Sequence, residues 1–202
     1  MIQRMPIQPG RFAWAIVLAL GALFASVAGL HAAETGTSVQ WTTNYYAVTG
    51  ATPREIQFSI TQARPWKTRF NWDGFTDWKV TWRFQTSREE DGCRVANFRP
   101  SAVVTTTLPR WTPPPGVALE VRQAWQHYFV ALVQHETVHA RYAYAAVEEM
   151  SRKVPALPTM PCDQLPEKIN QLANQIMDDY RRREKEYDQR TDHGALQGAR
   201  LR

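Results

Sequence analysis

The sequence predicts an α+β domain: a small antiparallel sheet with a short N-terminal helix, packed on two long antiparallel helices. Three observations predict it. Aromatic and β-branched residues dominate residues 39–108, and apolar positions alternate there with period two, most cleanly in WKVTWRF, Trp78–Phe84. After Gly116 the apolar period becomes helical over two stretches. Only the proline-bounded segment Pro155–Pro161 separates those stretches, a connection that folds neighbouring helices antiparallel. Strands mostly first and helices last describe a sheet with helices on one face.

Each element follows from its residues. Val39–Val48, VQWTTNYYAV, reads as a strand ending at Gly50. Thr52-Pro53-Arg54-Glu55 has a cap residue, a proline at the first helical position and a glutamate three after the cap, which predicts a helix from Pro53 to Ala63. Pro65 stops it, and an aromatic loop, Trp66–Phe75, leads to the alternating strand. There Trp78, Val80, Trp82 and Phe84 share the core face. A charged turn, Ser87–Gly92, follows. Cys93–Phe98 and Ala102–Leu108 read as one antiparallel hairpin interrupted at Pro100. Ala102–Leu108 is expected inside the sheet; at an edge it would offer a ladder to an extended peptide. Pro113–Pro115 end the sheet region. A helix from Val117 to Val154 and a second from Asp163 to Asp188 follow, the second with Leu165, Ile169, Leu172, Ile176 and Tyr180 on one stripe.

The chain has 202 residues, 44% hydrophobic and 21% charged, the composition of one globular domain with a real core. Its first 33 residues are of another kind. Arg4 and Arg11 precede an uncharged apolar run, Phe12–Leu30, which gives way to small residues ending at Ala32-Ala33. A basic start, an apolar centre and a small-residue exit are the marks of a secretory signal peptide; the alternative is a retained N-terminal anchor, since the run approaches a bilayer-spanning length. The expected organisation is therefore 1–33 signal peptide or anchor and 34–202 a single exported domain, periplasmic or secreted, or held at the inner membrane.

Setting 1–33 aside removes two arginines and no acid, taking the formal charge from +5 to about +3. The basic excess near Arg181-Arg182-Arg183 is interleaved with acids, a solvated helix face rather than a nucleic-acid patch. No motif of an RNA- or DNA-binding module is present, and the oligomeric state leaves no signature. The two cysteines, Cys93 and Cys162, have no partner at C-x-x-C spacing and, in an exported chain, predict one disulfide.

The chemistry concentrates in LVQHETVHARYA, Leu132–Ala143. On a helix, His135 and His139 lie one turn apart on one face and can offer two imidazole nitrogens to one Zn2+. Glu136, about 100° further round, can reach a water on that ion and take its proton as general base. Leu132, Val133 and Ala143 make the surroundings apolar, and a charged triplet turned toward a core needs a partner such as a metal. A catalytic zinc takes three protein ligands. His127 lies about 12 Å from His135 along the axis and cannot be the third. His193, just past the second helix, is a candidate, and Gly194 after it allows a turn that aims the ring. The carboxylates Asp178, Asp179, Asp188 and Glu148 are alternatives, Glu148 the poorest because it lies on the same helix as the pair.

HETVH, the upstream TLPRW, the strand DWKVTWRF and the ending YDQRTDHGALQGA together resemble a bacterial family of unknown function whose members are described as predicted secreted zinc-dependent proteases. The resemblance runs from Ser38 to Ala199. It implies a zincin-like metallopeptidase, a peptide or protein substrate, and His193 as third ligand beside His135 and His139. Tyr187 is a candidate hydrogen-bond donor to a developing oxyanion or a packing aromatic. Asp188 and Asp192 are candidates to orient a ligating imidazole. The expected function is an exported zinc-dependent peptide hydrolase. The alternative is a noncatalytic cell-envelope protein, with a structural metal site or a role in protein interaction.

Overall fold

The computed structural model describes residues 38–66 and 71–201. The expected signal peptide or anchor lies outside them. The order is β1 (Ser38–Val48), α1 (Pro53–Ala63), β2 (Phe75–Glu89), β3 (Gly92–Trp111), α2 (Leu119–Lys153), α3 (Leu165–Thr191) and a 3-10 turn, Ala195–Gln197. The class is α+β, a three-stranded sheet with a short helix packed on two long ones. No helix among the described residues is long and apolar enough to cross a membrane.

The sheet is mixed rather than antiparallel throughout. Its order is β1-β3-β2, with β2 antiparallel and β1 parallel to β3. Helix α1 links the end of β1 to the start of β2 at one end of the sheet; β2 then carries the chain back, and the hairpin return sets β3 parallel to β1 and between the two. The break expected at Pro100 is absent: β3 is one strand of 20 residues. Both its prolines fall where it has a single neighbour among the described residues. Pro100 precedes β1's first pairing at Ser101, and Pro109 follows β2's last at Thr107. A missing donor is tolerated at such positions. So the segment read as two strands is one central strand, and β1 and β2 are the sheet edges among the described residues.

The start of α1 is capped nearly as its sequence predicts. Thr52 accepts from the Glu55 amide at 3.3 Å, and the Glu55 carboxylate accepts from Ala51 at 2.7 Å, one residue before the cap. Cys93 and Cys162 form the disulfide. It joins the start of β3 to the α2–α3 connection, beside a short bridge between Cys93 and Met160.

The helices α2 and α3 are antiparallel. His135 faces Asp188, His139 faces Glu184, and Glu149 faces Tyr180, so contacts climb one helix as they descend the other. Two apolar cores form along α2. Tyr128, Ala131 and Leu132 pack with Ile56, Ile60, Val48 and Leu108. Ala140, Ala143, Ala146, Val147 and Met150 pack with Trp78, Val80, Val104 and the α3 stripe. The three alanines are fully buried; their small size lets the neighbouring layers approach. The segment from His135 to His139 lies between the two cores.

Candidate metal centre

His135, Glu136 and His139 are 3%, 4% and 5% exposed. Buried polar groups must find partners. Nδ1 of His139 lies 3.0 Å from the Glu184 carboxylate, and Nδ1 of His135 lies 3.0 Å from Oε1 of Gln197. An oxygen accepts at each Nδ1, so each ring donates there and turns an Nε2 lone pair inward. Those two Nε2 atoms are 3.2 Å apart. Oδ1 of Asp188 lies 3.2 Å from that of His135 and 3.0 Å from that of His139. This oxygen is buried, and neither contact is aligned as a hydrogen bond. Three lone pairs thus face one another across about 3 Å.

Such a cluster calls for positive charge. Zinc bonds of about 2.0–2.1 Å in tetrahedral directions set ligand atoms about 3.3 Å apart. Two imidazoles and a carboxylate are a zinc-type donor set, and three is the number a catalytic site uses. Among the described residues His135, His139 and Asp188 are the group able to hold such an ion. A proton is the other way to supply charge. Burial lowers the His139 pKa, but the facing carboxylates of Asp188 and Glu184 outweigh it and raise the ring to about 10. Burial likewise raises Asp188, yet the close-lying His135 and His139 rings override it and hold the carboxyl well below the usual range.

His193 is beside the cluster, outside the donor triangle. Its Nδ1 is 3.5 Å from Oδ2 of Asp188, its ring stacks on Trp72 at 4.5 Å between centroids, and its side chain is 37% exposed. Asp192 is exposed and caps the end of α3 in the left-handed region. The ring of Tyr187 stacks on His135 at 4.9 Å and its hydroxyl donates to Gln197, so it buttresses a donor ring instead of lining the cleft. His127 is exposed on α2. Asp178 is exposed, and Asp179 pairs with Arg182 and Arg183 on its own helix.

The Glu136 carboxyl is raised above its usual range by burial, against the opposing charge of the His139 ring. Two glycines make room for the motif. A Cβ on Gly74 would sit 2.8 Å from Glu136 Oε1, and one on Gly194 would sit 2.9 Å from Cγ of His135. Asp192, His193 and Gly194 all have positive φ, at 48°, 49° and 83°. For the two non-glycine residues this geometry is strained. It reverses the chain after α3 and brings the 3-10 turn, with Gln197, back onto His135.

The loop carrying Gly74 is pinned from behind. Tyr46 donates to the Asp73 carbonyl at 2.5 Å, and Tyr128 and Gln57 donate to the Asp73 carboxylate. Arg64, itself buried, donates to Asn71 and to the carbonyl of Trp72. Glu184 and Gln197 stand outside the candidates that the sequence motifs offer. Glu184 has a usable signal, since it lies one helical turn before Asp188 and so shares its face. Gln197 has none, because only the three-residue reversal brings it back. The cluster opens on a cleft of about 1020 Å³, walled by β2 from Phe75 to Trp78 on one side and by α3 on the other.

Fold and site define an α+β protein with a candidate three-donor metal centre between its long helices and its sheet. The chain belongs to the family described as Bacterial protein of unknown function (DUF922), whose model matches residues 43–194. No curated protein and no solved structure matches it.

Proposed function

We propose that the protein is an exported, zinc-dependent peptide hydrolase. One observation carries this reading: three donor atoms, two imidazole nitrogens and a carboxylate oxygen, converge within 3.2 Å on the floor of an open cleft. His135, His139 and Asp188 would hold the ion, with Glu184, Gln197 and Tyr187 fixing the rings. A zinc bound there supplies Lewis acidity, polarising a substrate carbonyl and acidifying water. Glu136 accepts the water proton on its carboxylate, and its raised pKa brings it closer to the range where a general base also works as an acid toward the leaving amine. Three donors favour a catalytic centre over a closed structural one, which takes four. The disulfide supports an oxidising compartment such as the periplasm or exterior. The edge strand β2 borders the cleft, so its outer backbone groups are available to an extended peptide.

Protein purified without added metal should hold one equivalent of zinc. Glu136→Gln should keep that zinc and lose about 10²–10⁴ in kcat against peptide substrates. Full-rate cleavage by the variant overturns the base role, and metal-free wild type overturns the centre.

A further inference from the structure

Four basic residues lie between Arg181 and Lys185 on α3, and they divide by face. Arg182 pairs with Asp179 and Glu186, and Arg183 pairs with Asp179, all on the outer surface of the helix. Arg181 and Lys185 line the cleft instead, and among the described residues neither has a carboxylate within ion-pair distance. The acid between the two in sequence is Glu184. Its Oε1 already accepts from the Trp78 indole and from His139, each at 3.0 Å. The Arg181 guanidinium lies 5.5 Å from the centre of the Trp78 ring, which holds it against the β2 wall. Both cations are solvent-exposed and free to turn toward a ligand.

Their spacing fits an extended chain. Lys185 is three residues before Asp188 and Arg181 seven, about 4.5 Å and about 10 Å along the helix axis. An extended peptide advances about 3.3 Å per residue, so a side chain within about three residues of the bond at the metal reaches one or both cations. Asp77, the acid on the facing wall, also lines the cleft, but it is exposed and forms no ion pair with either cation.

We infer that Arg181 and Lys185 select peptide substrates carrying an acidic residue within about three positions of the cleaved bond. The inference rests on the peptide-hydrolase reading, and its test separates the two. Labelled octapeptides in a Gly-Ala-Leu background, each with one Glu, Ala or Lys at a scanned position, are titrated by fluorescence anisotropy against zinc-loaded Glu136→Gln protein. The same set is digested with wild type and the cleaved bonds are read by mass spectrometry. Glu peptides should bind about tenfold more tightly than Lys peptides at the favoured position, and less selectively in high salt. Arg181→Ala/Lys185→Ala should bring the ratio to one, and Arg181→Glu/Lys185→Glu should invert it.

Equal affinity for Glu and Lys peptides overturns the inference, as does a ratio that survives charge reversal. Hydrolysis without acid preference overturns the inference and leaves the hydrolase reading standing. Acid-selective binding without hydrolysis does the reverse, and absence of both removes both.

Discussion

The two helices that build the centre do so in opposite ways. Helix α2 supplies His135, Glu136 and His139 from five consecutive residues, already registered by the helical repeat and buried between two cores. Helix α3 and the turn after it supply Glu184, Asp188 and Gln197 over fourteen residues, and these meet α2 only because the helices pack antiparallel and the chain reverses at Asp192–Gly194. The α2 half is local geometry, whereas the α3 half is tertiary packing. The difference teaches that a candidate ligand set can be half visible in a sequence, and that its completion depends on the register between two helices.

The strongest way to break this contrast is to remove the α3 donor. Asp188→Ala should abolish stoichiometric zinc, read by metal analysis after dialysis, whereas His193→Ala should keep it. The opposite result would return the third position to His193. Next comes the covalent tie at the far end of α3. Replacing Cys93 and Cys162 by Ser should lower stability by about 4 kcal/mol in urea unfolding, as expected for a 69-residue separation. Zinc content should persist, because Cys162 is 26 residues from Asp188. Loss of zinc below the melting range would mean that the α3 register depends on the disulfide.

Smaller effects sharpen the comparison. Glu184→Gln and Gln197→Ala each remove an oxygen that orients one imidazole, and each should weaken zinc binding by about 10–100-fold in competition with a chelator. Unchanged affinity for both would mean that α2 alone orients its rings. The smallest effect is on pH dependence. In chelated protein His139 is raised from its ordinary 6.5 to about 10 by the carboxylates on α3. A raised folded pKa contributes stability that is full below 6.5 and lost as pH climbs to about 10. Asp188, depressed from 3.8, contributes stability above that value and loses it as acid is added. The urea midpoint of chelated protein should therefore be highest between about pH 4 and 6.5 and fall toward pH 10. A midpoint that rises across that range would contradict the coupling between the helices.

The same division explains what was legible in the fold. The period-two pattern from Trp78 to Phe84 and the helical stripes on α2 and α3 were readable because each depends on neighbours one turn or one pleat away. The continuity of β3 through Pro100 was not, because proline's missing donor matters only if a partner strand faces it, and the parallel placement of β1 settles that. The third donor followed the same logic. Asp188 was one acid among several on α3, and His193 carried the more conspicuous side chain in the more recognisable motif.

By itself the sequence determined the helices and the alternating strand, the single cysteine pairing and the His-Glu-x-x-His face, since all three follow from short-range periodicity and composition. Only the tertiary structure decided the strand order, the choice of Asp188 over His193 in the donor triangle, and the pairing of each imidazole with its orienting oxygen. Those depend on the sliding register of two long helices, where one turn moves a side chain by about 5.4 Å and replaces every partner it meets.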